Sequence, residues 1–202
     1  ANAHVHSNSW GGSGNSYSSM AQDMDRFSWE NPTVLVLVPA GNSGSGGPGT
    51  IEDPATAKNI LSVGASVNGA NLGARAYFSS QGPSFDGRIT PQVLAPGHGV
   101  DSANSDGNLS TFQCSDDIYS TGVEGMSGTS MACPVVAGAA ALVRQYFREG
   151  FYPTGDRNVA DQRSNQHISS ALVKGMLIHG ARLLDGTGPS YADGFGLIDL
   201  SS

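Results

Sequence analysis

Charge is scarce in this 202-residue chain, with Asp, Glu, Lys and Arg making up only 13% of it. Ten Lys plus Arg, scattered rather than clustered, against seventeen Asp plus Glu leave a net charge of −7, which argues against nucleic acid as a partner. Cysteine is limited to Cys114 and Cys133, and five histidines are spread along the chain, too few together for a zinc site. A single Cys114–Cys133 bridge stays open, although Cys133 lies at the start of an apolar run, where a free thiol packs as a small hydrophobe. No uninterrupted apolar stretch approaches the roughly 18 residues of a membrane span. The opening ANAHVHSNSWGG has neither a basic start nor an apolar core and is not expected to be a signal peptide. It reads as the inside of a domain, with the expectation that something upstream is missing. What is plentiful is glycine, 28 residues, in a length suited to one domain with a substantial core.

Taken in order, His4-Val5-His6 leads through Asn8-Ser9-Trp10 into Gly11-Gly12, a short strand ending in a glycine turn. His4 and His6 share a face at period two, but without a third ligand they read as ordinary strand residues rather than a metal pair. Tyr17, Met20, Ala21, Met24 and Phe27 recur at helical spacing, with Ser18 or Ser19 as cap and Pro32 as terminator, and predict one helix face against a sheet. Residues 33–38, TVLVLV, predict a central parallel strand covered on both faces. It runs into Pro39-Ala40-Gly41-Asn42-Ser43-Gly44, polar groups at a strand's carboxyl end, where open α/β sheets place their sites. Residues 44–49 match G-x-G-x-x-G, but Pro48 and a continuing loop replace the helix that a dinucleotide site requires.

Residues 59–65 (NILSVGA) and 93–97 (VLAPG) predict further strands, and residues 101–127 a polar surface excursion. Asp101, Asp106, Asp116 and Asp117 there could hold calcium through oxygen ligands, but they lack EF-hand spacing and read better as solvated loop acids. Asn108-Leu109-Ser110 is a formal glycosylation sequon. Residues 147–161 read as loop, residues 167–184 as a helix, and residues 194–200 as a turn and short strand. Strands alternating with helices predict an α/β domain with a mostly parallel sheet.

The most distinctive stretch is residues 128–142, GTSMACPVVAGAAAL, uncharged until Arg144. A helix apolar on all faces is expected in the middle of a core. Ser130 would sit at its N-terminal mouth, where unpaired N–H groups and the helix dipole favour negative charge. A serine there is either a cap or a nucleophile. As a nucleophile it needs a base for its proton and donors for the oxyanion; its own N–H and the Asn42 amide could be those donors, although spacing does not show that they meet.

GTSMACPVVAGAAAL resembles the nucleophile segment of the subtilisin-like serine proteases, the subtilases, and PAGNSG resembles their oxyanion-hole segment. NSWG is similar to the strand that pairs with substrate backbone in that family, residues 48–65 and 78–97 are also family-like, and ADGFGLIDL resembles the closing segment of bacterial alkaline subtilisin-like proteases. The resemblance covers nearly the whole chain, with its motifs in the family's order. It implies a three-layer subtilisin-like α/β fold, with Ser130 as nucleophile and Asn42 plus the Ser130 N–H as oxyanion donors. Ser9, Trp10 and Gly11 would form one wall of the substrate groove, and Ala40, Gly41, Gly128 and Thr129 would line the pocket for the side chain before the scissile bond. Walls of Gly and Ala lead to the expectation of a large apolar side chain there. A polypeptide substrate and a secreted location are likewise implied by the resemblance, with no certain cofactor.

The departure from the family is as informative. Its D-[ST]-G-type and H-G-T-H-type segments, which bring the catalytic Asp and His, are absent, and none of His4, His6, His98, His167 and His179 stands in such a motif. Residues 1–202 are therefore expected to be the carboxyl-terminal part of one catalytic domain, without its early strands. An amino-terminal part would supply Asp, His and those strands, and the chain alone would be nearly inactive. Two alternatives remain: an inactive, subtilase-shaped peptide-binding or structural module, and an unrelated α/β-type serine hydrolase. The second wants G-x-S-x-G, whereas residue 132 is Ala.

Overall fold

Strand burial follows the apolar pattern closely. The computed structural model describes residues 3–69, 73–103, 123–184 and 186–201. Within them β1 (Val5–Ser7), β2 (Leu35–Pro39), β3 (Leu61–Val67) and β4 (Val93–His98) form a parallel sheet in the order β1-β2-β3-β4. Every residue of β2 is buried. Leu35 and Leu37 pack on one side with α2 (Thr129–Arg148) and α3 (Ser170–His179), while Val36 and Val38 pack on the other with Ala21 of α1 (Ser19–Glu30), Ile51 and Ile60. A strand covered on both faces needs apolar residues at every position, and TVLVLV has them. The result is three layers, helix–sheet–helix.

Four expectations need correction. The buried face of α1 is Ala21, Asp25 and Ser28, while Met20 and Phe27 are exposed. A carboxylate replaces an apolar contact there because Asp25 accepts the N–H groups of Lys58 (2.8 Å) and Asn59 (2.7 Å) and the Tyr17 hydroxyl (2.7 Å). The hydrogen bond to Asp25 pushes the Tyr17 phenol up to about 12. Second, α2 is not buried on all faces. Ala132, Cys133, Val136, Ala139, Ala140 and Val143 face the sheet, but Val135 and Leu142 lie on an outer side that is 39% and 56% exposed at those positions.

Third, α2 runs on to Arg148, past the start of the expected loop, and α3 covers only residues 170–179 of the expected 167–184. Ser169 caps α3 by accepting the Leu172 N–H (3.1 Å), and Gly180 ends it. Fourth, the expected irregular excursion has a structured stem, in which β5 (Val100–Ala103) pairs antiparallel with β6 (Val123–Met126). Asp106, the sequon at Asn108, Cys114, Asp116 and Asp117 lie outside the described residues. Among those described, no group of three or more His, Cys, Asp or Glu side chains could hold a metal ion, and no helix is long and apolar enough to cross a membrane.

Two cations, one buried and one half-buried, close the loops around the sheet. Arg144 of α2 is 6% exposed and donates to the carbonyls of Thr33 (3.1 Å), Ile168 (3.0 Å) and Asn165 (3.3 Å), tying α2 to the entry of β2 and of α3. Lys174 of α3 donates to the carbonyl of Ile60 (2.6 Å), just before β3, and burial pushes its ammonium down to about 8.

Arg144→Met is expected to lower stability by roughly 3 kcal/mol in urea denaturation, because carbonyls that the guanidinium serves would be left unpaired in the interior. Lys174 should give a pH signature. Its folded value near 8 lies below its ordinary 10.5, so the unfolded chain holds more protons between those limits and this contribution to stability rises as pH climbs from about 8 to about 10.5. Comparing denaturation midpoints of the protein and Lys174→Met at pH 7.5 and pH 10 checks this, since the variant should lose the rise.

Candidate active site

Parallel strands deliver their carboxyl ends to one edge of the sheet, where the loops after β1 and β2 meet the N-terminus of α2. Four hydrogen bonds set that meeting. The Gly128 N–H donates to the Gly97 carbonyl at the end of β4 (2.7 Å). The Thr129 N–H and hydroxyl both donate to Asn42 Oδ1 (2.9 and 3.1 Å), and the same hydroxyl accepts the Gly41 N–H (3.2 Å). Thr129 is completely buried, so it acts as a clamp between the PAGN turn and the helix. Gly97 makes the close approach feasible: a Cβ there would lie 2.7 Å from the Gly128 carbonyl oxygen and 2.8 Å from Ala65 Cβ.

The clamp fixes which way the Asn42 amide points. With Oδ1 occupied by two donors, Nδ2 of the exposed Asn42 has no hydrogen bond among the described residues. The Ser130 N–H, in the first turn of α2, also has no partner among the described residues. A Cβ built on Gly128 would lie 3.7 Å from both Asn42 Oδ1 and Ser130 N, so the carboxamide and the helix-start amide flank one small space. Two free donors at a helix N-terminus beside a serine hydroxyl can stabilise a developing oxyanion.

The remaining residues singled out in the sequence are arranged around this point. Ser9, Trp10 and Gly11 are exposed just beyond β1, whereas Ala40, Gly41, Gly128 and Thr129 are packed out of contact with solvent. Ser9 and Ser130 exchange hydrogen bonds: the Ser9 hydroxyl donates to the Ser130 carbonyl (3.0 Å) and the Ser130 hydroxyl to the Ser9 carbonyl (3.3 Å). No histidine among the described residues bonds to Ser130. His98 stacks on Phe78 with ring centroids 5.8 Å apart, and His167 contacts Ser164 (3.0 Å). Cys133, one turn into α2, is a free buried thiol 3.6 Å from the Ser7 hydroxyl; burial pushes its pKa up to about 11, which keeps it protonated and unreactive.

Glu52 belongs to this region and the sequence reading passed over it. Its Oε1 accepts the Asn42 N–H (3.0 Å) and the Ser43 hydroxyl (2.7 Å), and its own N–H donates to the Ala40 carbonyl (3.0 Å). A lone acid in a loop carries no periodic signal. Its one sequence cue is its place in the family-like stretch 48–65.

Comparisons with known proteins agree with this architecture. The profile of the Subtilase family matches residues 1–196. The chain is 39% identical over 122 residues to the Serine protease/ABC transporter B family protein tagB of Dictyostelium discoideum, covering 59% of this chain and 6% of that protein. It is 30% identical to Pyrolysin of Pyrococcus furiosus over 83% of this chain and 12% of that protein. Among solved structures, the prenylagaramide maturation protease PagA superposes with a TM-score of 0.69 at 22% identity, over 98% of this chain and 60% of that one, a likeness of fold. The chain thus spans a small fraction of these curated relatives and somewhat over half of the solved neighbour. With its profile match running almost end to end, the chain belongs to the subtilase family of serine peptidases.

Proposed function

We propose that residues 1–202 are the carboxyl-terminal part of a single subtilase catalytic domain, carrying the nucleophile and the oxyanion donors of a serine endopeptidase that works on extended polypeptides outside the cell. The observation that carries this reading is the Thr129 clamp, which holds Asn42 by its oxygen and leaves its N–H groups free beside the unpartnered Ser130 N–H. In the proposed reaction a base removes the Ser130 hydroxyl proton as Oγ bonds to the peptide carbonyl carbon. The oxyanion accepts hydrogen bonds from Asn42 Nδ2 and the Ser130 N–H; the base then protonates the departing amine, and water hydrolyses the acyl-enzyme. The exposed segment Ser9-Trp10-Gly11 would align the substrate by strand-like backbone pairing, with Ala40, Gly41, Gly128 and Thr129 forming the floor beneath the side chain before the cut.

The base and its orienting carboxylate are assigned to an amino-terminal part of the same protease. Two features support a covering segment of that kind. β1 is an edge strand with no sheet partner on its outer side among the described residues, and the outer side of α2 exposes Val135 and Leu142. One observation favours the alternative of an inactive peptide-binding module: the Ser130 hydroxyl is engaged by the Ser9 carbonyl rather than by a base.

Fluorophosphonate labelling separates these readings. The isolated chain should label slowly and the chain assembled with its amino-terminal part rapidly, with Ser130→Ala abolishing the signal. Rapid labelling of the isolated chain would overturn the two-part reading, and an assembled protein that never labels would favour the binding module. In the assembled enzyme, Asn42→Leu should lower kcat by roughly 10²–10³ with little change in KM, a magnitude measured within this family rather than deduced from the geometry. Thr129→Val, which keeps the backbone donor, should cost about fivefold in kcat. Adding it to Asn42→Leu should cost less than it does alone, because part of its effect runs through Asn42.

A further inference from the structure

The glycine and alanine stretches expected to border the pocket are buried, and the side chain beside them is not apolar. That side chain belongs to Glu52. A Cβ on Gly41 would run into the Glu52 side chain, and a Cβ on Gly11 would come within 4.0 Å of Glu52 Oε2. The carboxylate therefore sits between the two stretches assigned above to the substrate groove, Ser9 to Gly11 and Ala40 to Gly41. The Glu52 N–H donates to the Ala40 carbonyl (3.0 Å), and Gly12, just past the first stretch, donates its N–H to the Asp53 carbonyl (2.7 Å). A groove of about 330 Å³ opens beside it, between residues 12–15 and residues 43–52, with Glu52 in its lining.

Among the described residues no cation pairs with Glu52. Oε1 is taken by the Asn42 N–H and the Ser43 hydroxyl, but Oε2 has no hydrogen bond among the described residues. The ion pairs among those residues join Arg26 to Asp23, Arg75 to Asp193, Arg88 to Asp86 and Arg157 to Glu149, and none involves Glu52. Resting on the peptidase reading above, we infer that Glu52 is a specificity-determining residue, selecting substrates with lysine or arginine immediately before the scissile bond. An apolar side chain entering the pocket would strip water from a carboxylate oxygen and offer it nothing. An acidic one would be repelled. A basic one replaces the lost water with a charge-assisted hydrogen bond in a partly desolvated site. Gly11 and Gly41 help by adding no side chain to narrow the approach.

The test uses the assembled protease and fluorogenic peptides identical except for Arg, Lys, Leu, Phe or Glu before the cut. Arg and Lys peptides should show kcat/KM about ten- to a hundredfold above Leu and Phe, with Glu slowest, a spread set by the usual strength of a hydrogen bond to a charged group. The gap should narrow as salt is raised, since the site is open enough for screening. Glu52→Gln retains an acceptor oxygen for the Asn42 N–H and the Ser43 hydroxyl, and should bring the Arg-to-Leu ratio towards one while the melting temperature stays within a few degrees. Fluorophosphonate labelling of Ser130 runs in parallel. Labelling without preference for Arg or Lys, or an unchanged ratio in Glu52→Gln, would overturn the inference alone. Neither labelling nor cleavage would overturn the peptidase reading and this inference with it.

Discussion

The site depends on one buried hydroxyl. Thr129 reaches from the first turn of α2 to both Gly41 and Asn42, so the loop after β2 and the start of the helix cannot move independently. Its bond with the Gly41 N–H is buried and those with Asn42 are part-buried, an environment in which hydrogen bonds are stronger than in water. The Gly128–Gly97 bond adds a third anchor from β4. Asn42 is consequently an exposed side chain with a buried anchor, a combination suited to presenting donors in a fixed direction without reorganisation during a reaction.

The rest of the fold keeps that arrangement rigid by satisfying loop backbone groups with buried and half-buried charged side chains. Arg144 serves three carbonyls at the entries to β2 and α3, Asp25 collects two N–H groups before β3, and Lys174 donates to Ile60. Each lies where a loop meets a strand or helix, the places where orphan backbone groups arise. In a chain this poor in charge, several of the few charges are used internally as substitutes for secondary structure.

Much of this was legible in the residues because it rests on local pattern. TVLVLV marked a strand buried on both faces, and of the two candidate caps, Ser18 and Ser19, Ser18 caps α1. Where a pattern served two purposes the reading went astray. The apolar stripe of α2 did not distinguish a face packed on the sheet from one left exposed, and the spacing of Met20 and Phe27 concealed Asp25 as the inward residue of α1. Helix ends shifted because Ser169 and Gly180, not the apolar period, decide where α3 begins and stops.

By itself the sequence determined the parallel α/β character and the strongest strand, since periodicity is a property of neighbours along the chain, while its resemblance to the subtilases singled out Ser130 and Asn42 as candidates. Tertiary structure alone decided that Thr129 clamps Asn42, that Ser130 and Ser9 exchange hydrogen bonds, and that Glu52 reaches between two glycine-walled stretches. Those contacts join residues 10 to 121 positions apart, with no repeat or spacing to announce them, and exist only because parallel strands bring their carboxyl ends to the same edge.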